Sequence, residues 1–429
     1  MKEFTPVWAW VVLGLALAIS LCVDVVNTMP GGSIDLRNRI TGARVMMAQI
    51  PPYHYKWHEP EPPEFCDPFN NPALPVNKVT ATPTGLLLLL PLAALDYRTG
   101  QILWLILQWI LLLGTAWLWL RRCENFRQWL LVAISFAGFT YTAAWRLHAE
   151  RGQAYVLLLF VFACWLVLTL DVKKGNGFIA GCFAGLLIAL RPPLLLLLPF
   201  LALHRRGQLP GAGVGLLLSA GLPILINHTS WPDYFSAMHD YAGIYTSFVN
   251  TPFQPQAYPE TVEGIPLDTL AHFAVIPFAD CSVFALFHAF GFDSVPNLPV
   301  LLVSVVLFGI WLWFSRAQSM ARLLPALAAW FFIIDLFLPS YRNNYNDVLI
   351  LNVIAAGVLA STKIPWGIWP CLLALPAGWI VYGATFGKPW MIDAPSLLFT
   401  LGAVLFLFLP KEEAVLQPLR RKEAKKKKS

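Results

Sequence analysis

Residues 101–120 read QILWLILQWILLLGTAWLWL and are followed at once by Arg121 and Arg122. An uncharged run of this kind matches the roughly 20 residues that an α-helix needs to cross a hydrocarbon core. Arginines at its end place that end on the cytoplasmic side. Outward from it, apolar runs recur at 7–26, 129–147, 153–170, 177–191, 193–204, 210–227, 298–315, 323–339, 348–361, 365–383 and 396–410. If each run crosses, the basic breaks fall on one side: Lys2, Arg127, Lys173-Lys174, His204-Arg205-Arg206, Arg316 with Arg322, Lys363 and the C-terminal tail. The expectation is an all-α, polytopic membrane bundle of about twelve helices with both termini inside.

Composition agrees. Of 429 residues, 57% are hydrophobic and 13% charged, more apolar surface than a soluble domain needs. The 18 Trp and 29 Phe suit membrane interfaces. Much of the net charge of +6 sits in Arg420-Arg421-Lys422 and Lys425 to Lys428, which reads as a cytoplasmic, lipid-touching tail (411–429) and not as a nucleic-acid footprint. The run from Val7 reads as an uncleaved anchor. The chain is taken as one membrane domain, 1–429, of a bacterial inner membrane. Cys66 and Cys281 fall in external regions, where two free thiols or one disulfide both fit. No CxxC occurs, so thiol-ligated zinc has no support.

The external parts are 27–100, 148–152, the turn at Arg191-Pro192, 228–297, 340–347 and 384–395. Within the first loop, 84–95 is apolar but too short to cross and reads as a re-entrant or interfacial helix. Frequent prolines from Tyr53 to Pro83 exclude a single helix there. The apolar stretch His272 to Phe292 reads as dipping into the membrane edge.

Charge at the outer end of a span needs a reason. Four clusters stand out. Asp35 lies with Arg37, Arg39 and Arg44 just after the first span. Its carboxylate suits a general base and equally suits a loop salt bridge. Arg146, His148, Glu150, Arg151 and Gln153 form a second group, suited to phosphate or sugar hydroxyls or to interfacial snorkelling. Arg191-Pro192-Pro193 sits at an outer hairpin, where a planar fork of donors suits a phosphate emerging from the bilayer. Last comes Tyr341-Arg342-Asn343-Asn344-Tyr345-Asn346-Asp347, in which Asn346 or Asp347 equally suits an N-cap. The i,i+4 pair His54 and His58 lies among prolines and makes a poor metal site. Asn227-His228-Thr229 matches a glycosylation pattern at a membrane edge, where chance explains it.

These pieces, in this order, resemble glycosyltransferase family 87, the polyprenyl-phosphate-mannose-dependent transferases of the GT-C superfold. The resemblance rests on Asp35, Gly42-Ala43-Arg44, Pro52-Tyr53, Thr82-Pro83-Thr84 with Leu86 to Leu90, Gly152-Gln153, Ala180-Gly181, Gly185-Leu186, Arg191-Pro192, Pro339-Ser340-Tyr341 and Asn343-Asn344-Tyr345. The family usually has Lys where this chain has Arg191, and an aromatic and a His where it has Arg342 and Asn343. The resemblance implies a polyprenyl-phosphate sugar donor, a lipid or glycan acceptor, no cofactor and no metal. It implies inverting transfer with Asp35 as base. The donor phosphate would be held by Arg191, with Arg146, Arg151 and Arg342. The remaining substrate contacts would come from Arg37, Arg44, Tyr53, His148, Gln153, Tyr341, Asn343, Asn344 and Tyr345. Two other readings compete. A glycan polymerase or ligase would keep its essential residues in a late large loop. A transporter would carry ionisable groups at mid-span or show related halves; here mid-span positions read as nearly all apolar.

Overall fold

A computed structural model describes residues 6–29, 33–67, 70, 74–170, 176–250, 297–337, 342–361, 363–384 and 394–408, with isolated residues at 261–262, 265–266, 282–283 and 287. Tyr341, Cys281 and the tail 411–429 lie outside them. The helices are α1 (Val7–Thr28), α2 (Ile34–Met47), α3 (Pro83–Ala93), α4 (Tyr97–Leu120), α5 (Phe126–Phe139), α6 (Ala143–Arg151), α7 (Tyr155–Leu170), α8 (Asn176–Leu190), α9 (Leu197–His204), α10 (Leu209–Ile226), α11 (Ser230–Asn250), α12 (Asn297–Phe314), α13 (Met320–Leu336), α14 (Ile350–Ala360), α15 (Ile368–Ala384) and α16 (Ala394–Leu407). A two-residue antiparallel ladder pairs Thr261–Val262 with Ile265–Pro266.

The all-α membrane architecture expected from the sequence is found. Among the described residues, α1, α4 and the stretch Arg206–Ile226 are each long and apolar enough to cross a membrane alone. The remaining apolar helices are shorter, 10–17 residues, apart from one bent pair. That pair is the run 129–147, which breaks into α5 and α6 at 57°. The break is local chemistry. Thr142 Oγ1 donates to Phe139 O at 2.7 Å and accepts from Trp145 N at 3.3 Å, so it closes one helix and caps the next. Segment 84–95 is a separate helix, α3, capped by Thr82 Oγ1 on Gly85 N at 3.2 Å. Asp96 Oδ1 accepts from Thr99 N at 2.9 Å and starts α4 afresh.

Close backbone contact packs α8, the helix that leads to Arg191, against α10. Gly181 and Gly185 on α8 meet Gly211 and Gly215 on α10, and a Cβ at any of the four would collide with the opposing backbone. Glycine four residues apart on both helices is what such close approach requires. This is the physical content of the Ala180-Gly181 and Gly185-Leu186 pattern.

The first external loop is built on α2, a polar helix most of whose residues are buried. Arg44 fastens its end. Nε donates to Ala93 O at 3.0 Å, Nη2 to Leu95 O at 2.8 Å and Nη1 to Glu64 O at 3.2 Å. A guanidinium on the last carbonyls of α3 answers both their unmet bonds and the helix dipole. Arg44, expected at the substrate, is therefore occupied as a cap. Tyr53 is likewise a pin: its hydroxyl donates to Ala81 O at 2.7 Å, its N–H to Asp233 Oδ2 at 2.8 Å, and its ring lies 5.3 Å from that of Tyr234.

Apolar helices also hold ionisable groups that the sequence reading passed over. Asp24 on α1 accepts from Arg146, from Trp109 Nε1 at 3.0 Å and from Trp145 Nε1 at 2.8 Å. Arg146 also donates to Ser20 O at 2.7 Å. Asp335 ends α13. Each carboxylate is closed by arginine, the condition under which a buried charge is tolerated.

Candidate active site

Asp35 lies in the first turn of α2, its side chain 18% exposed. Gln153 Nε2 donates to its Oδ2, and Arg151 Nη1 stands 3.6 Å from the same oxygen. Arg39, one helical turn on, donates Nη2 to Gln153 Oε1 at 2.6 Å and Nη1 to Gly152 O at 3.2 Å. Because the Gln153 oxygen is taken by a guanidinium, its NH2 must face Asp35. The amide is oriented, and Asp35 is fixed by a donor that is itself fixed. Gly152 ends α6 at φ 66°, and a Cβ there would press on Leu36 at 2.5 Å. The Gly-Gln pair thus has two jobs: a left-handed cap without a side chain, then the amide that aims the carboxylate.

Arg37, two residues from Asp35 and so turned away from it on the helix, lies over the Tyr97 ring at 4.6 Å. Its Nε and Nη1 are buried with no hydrogen-bond partner among the described residues. Lys78, which no sequence pattern flagged, is half-buried. Burial pulls its ammonium pKa down, and the Asp67 and Asp35 charges oppose that.

The second pole is Arg191. It donates to Asp335 Oδ1, and its guanidinium carbon lies 5.5 Å from the Tyr155 ring. Asp335 Oδ2 accepts from Asn346 Nδ2 at 3.1 Å and lies 3.4 Å from Arg342 Nε. Arg342 Nη2 also meets Asp347 Oδ1 at 2.8 Å, and Asp347 accepts from Ser396 Oγ. Asp347 is therefore a buried ion-pair partner and makes no side-chain N-cap. Tyr155 and Tyr345 join the poles, their rings 5.9 Å apart. Asn343 Nδ2 donates to Tyr345 Oη at 2.8 Å. Burial pushes the Tyr345 phenol up, and the Asp35 carboxylate adds to it. A narrow cleft of about 30 Å³ opens at Arg191 and Asp335, walled by Leu158, Phe162, Leu187, Leu194, Phe331 and Leu349.

Of the residues expected here, Asp35, Arg151 and Gln153 meet in one cluster, and Arg191, Arg342 and Tyr345 in the adjoining one. Asn344 is buried in the turn beside them, its Oδ1 without a partner among the described residues. Arg146 is not brought in; it serves Asp24. His148 is fully buried, stacked on Trp145 at 5.3 Å, with Nε2 accepting from Val156 N at 3.2 Å. Asn227 is buried and donates to Ile50 O at 3.0 Å, which removes it as a glycosylation acceptor. Lys78, Asp335 and Tyr155 are additions that sequence reasoning did not assign to the site, and Arg39, grouped there with Asp35, was given no role. The signal for Asp335 was available: a lone acid at the end of an apolar run.

His54 and His58 do not share a ligand. His58 lies 3.6 Å from Glu61, whereas His54 sits between two carboxylates of α11, Asp233 at Nδ1 and Asp240 at Nε2, 3.1 Å. This clasp holds α11 against the first loop. Burial alone would lower the His54 pKa; hydrogen bonds to Asp233 and Asp240 outweigh it, and the net direction is up. A raised folded-state value means the clasp's stabilisation is complete below the ordinary 6.5 and is lost as pH rises through the folded value. Hydrogen-exchange protection over 230–240 is expected to fall from mildly acidic to alkaline pH, and His54→Gln to flatten that dependence. Constant protection in the parent across that range would remove the clasp as a pH-sensitive contact.

Residues 80–262 match the profile of glycosyltransferase family 87. That stretch carries Arg151, Gln153, Tyr155 and Arg191, while Asp35, Asp335 and Arg342 lie outside it. No curated protein matches the chain. Among solved structures, the chain is similar to ArnT from Cupriavidus metallidurans in the apo state, at 14% identity and a TM-score of 0.40, covering 94% of this chain and 78% of that one. It is also similar to the apo Archaeoglobus fulgidus oligosaccharyltransferase, at 12% identity and a TM-score of 0.41, covering 99% of this chain and 60% of that one. The resemblance to glycosyltransferase family 87 is thereby borne out over residues 80–262, and with it glycosyltransferase activity for this membrane protein.

Proposed function

We propose that the protein moves a sugar, mannose by the family resemblance, from a polyprenyl-phosphate donor to a hydroxyl of a lipid or glycan acceptor on the external face. One observation carries the reading. An oriented carboxylate and a cleft-lining arginine stand at adjoining poles, and the cleft behind the arginine is apolar. A polyprenyl tail is apolar and its phosphate anionic, so the apolar side chains beside Arg191 match the character of the tail and Arg191 that of the phosphate. In this scheme Asp35 accepts the proton of the acceptor hydroxyl. The freed oxygen attacks the anomeric carbon from the face opposite the phosphate, and the C–O bond to phosphate breaks with its electron pair leaving on phosphate oxygen. Inversion follows. Arg191 stabilises the leaving phosphate, and Arg151 stands 3.6 Å from the reacting carboxylate.

The test is direct. The purified protein in lipid nanodiscs is incubated with radiolabelled polyprenyl-phosphate sugars and a lipid extract. Label is expected in a new lipid or glycan product, from one sugar of the panel above the others. Product lengthened by repeating units would support a polymerase instead. Label carried across a sealed vesicle without a new bond would support a transporter.

A further inference from the structure

Asp335 is the acid that closes the apolar run Phe331-Phe332-Ile333-Ile334 of α13. Its side chain is 6% exposed. Two stretches of chain meet on it: Arg191 after α8, distant in sequence, and the segment that follows α13, with Arg342 and Asn346. Both carboxylate oxygens are used, Oδ1 by Arg191 and Oδ2 by Asn346, with Arg342 at 3.4 Å. Asp335 nevertheless lines the same cleft as Arg191.

A carboxylate at the mouth of an anion site is a liability if its charge faces the anion. Here the charge is shared between two guanidiniums. The exchange is favourable in another respect. A free arginine has several rotatable bonds, and holding it in one geometry costs entropy each time a ligand binds. An arginine already held through one of its NH2 groups can offer the rest of its planar fork without that cost. Buried ion pairs add little to stability compared with apolar packing, so stability alone is a weak reason for a carboxylate here. Arg191 is also the partly open member of the pair, its side chain 25% exposed against 6% for Asp335. Both residues line the cleft.

We propose that Asp335 is a positioning residue for the donor: it holds the Arg191 guanidinium, and through Oδ2 the Arg342 and Asn346 loop, in the orientation that receives the donor phosphate. The inference rests on the reading of Arg191 given under Proposed function. It makes Asp335 a partner of Arg191 in function, and no part of the chemistry passes through the Asp335 carboxylate itself.

The experiment is a double-mutant cycle on the full-length protein in nanodiscs, with a synthetic short-chain polyprenyl-phosphate mannose as donor probe and a lipid extract as acceptor, each varied in turn with the other in excess. Asp335→Asn keeps the shape and removes the charge. Its donor KM is expected to rise about tenfold, the equivalent of one oriented charge-assisted hydrogen bond, with acceptor KM unchanged. In an Arg191→Ala background the same change is expected to alter donor KM by less than about twofold, because positioning an absent side chain has no effect. Should Asp335→Asn fail to give monodisperse protein, Asn346→Ala serves: it keeps every charge, and a rise of about two- to threefold, dependent on Arg191, is expected.

Equal losses in the parent and Arg191→Ala backgrounds, or matching losses in donor and acceptor KM, would make Asp335 a structural ion-pair residue and overturn the proposal. So would an unchanged donor KM in both Asp335→Asn and Asn346→Ala. If Arg191→Ala itself leaves donor KM unaltered, it is the reading of Arg191 as the phosphate site that fails, and that outcome is told apart from the others by the single variant.

Discussion

Asp35→Asn is expected to lower transfer by about two to four orders of magnitude while the protein still inserts and purifies normally. The substitution is close to isosteric. The Asn oxygen can still accept from Gln153 Nε2, which Arg39 holds in place, so the first turn of α2 keeps its local structure. What is lost is a group able to take a proton. General-base catalysis needs that group within hydrogen-bond reach of the acceptor hydroxyl. Asp35 retains part of its surface while its neighbours Arg39 and Leu36 are buried. The measurement is initial rate at saturating donor, with donor affinity measured separately. Turnover near that of the parent, in correctly inserted protein, would exclude Asp35 as the base.

Arg191→Ala is expected to weaken donor binding by roughly 1.5–3 kcal/mol, or about ten- to a hundredfold, as for loss of a charge-assisted bond to phosphate. The structure adds a complication absent from the sequence. Arg191 also neutralises Asp335, and removing one partner of a buried pair typically costs about 3–5 kcal/mol of stability. The side chain is a quarter exposed, so screening by solvent puts this pair well below that range. The two effects separate by variant. Arg191→Lys keeps a charge for both Asp335 and phosphate but loses the planar fork, and it should retain part of the donor affinity. Arg191→Ala with Asp335→Asn removes the stranded charge as well and should recover thermal stability without recovering donor binding. If Arg191→Ala binds the donor as tightly as the parent, Arg191 is only the anchor of its hairpin, and Arg342 or Arg151 becomes the next candidate.

Much of this was legible in the order of residues. An uncharged run such as 101–120 has few ways to exist outside a membrane, because its backbone and side chains together demand a helix in an apolar medium. The acid after the first span, the Gly-Gln pair and the Arg-Pro hairpin were likewise visible, each being a local departure from the surrounding pattern. Helix–helix glycines were visible as a motif, but their reason was not: only the crossing of α8 and α10 shows that opposing backbones occupy the space of a Cβ.

Partner choice was decided by tertiary structure alone. The sequence offers Arg37, Arg39, Arg44, Arg146, Arg151, Arg191 and Arg342 as equivalent cations on one side of the membrane. A guanidinium can cap a helix, close a buried carboxylate, lie on a ring or hold a phosphate, and its own residue type favours none of these. Arg44 meets the end of α3, Arg146 meets Asp24, and Arg37 lies on Tyr97, because those groups are brought to them by chain segments far away in sequence. The pattern of apolar runs is written residue by residue and survives reading in one dimension. The role of an arginine depends on what burial places within about 3 Å of it, and that is known only once the helices have packed.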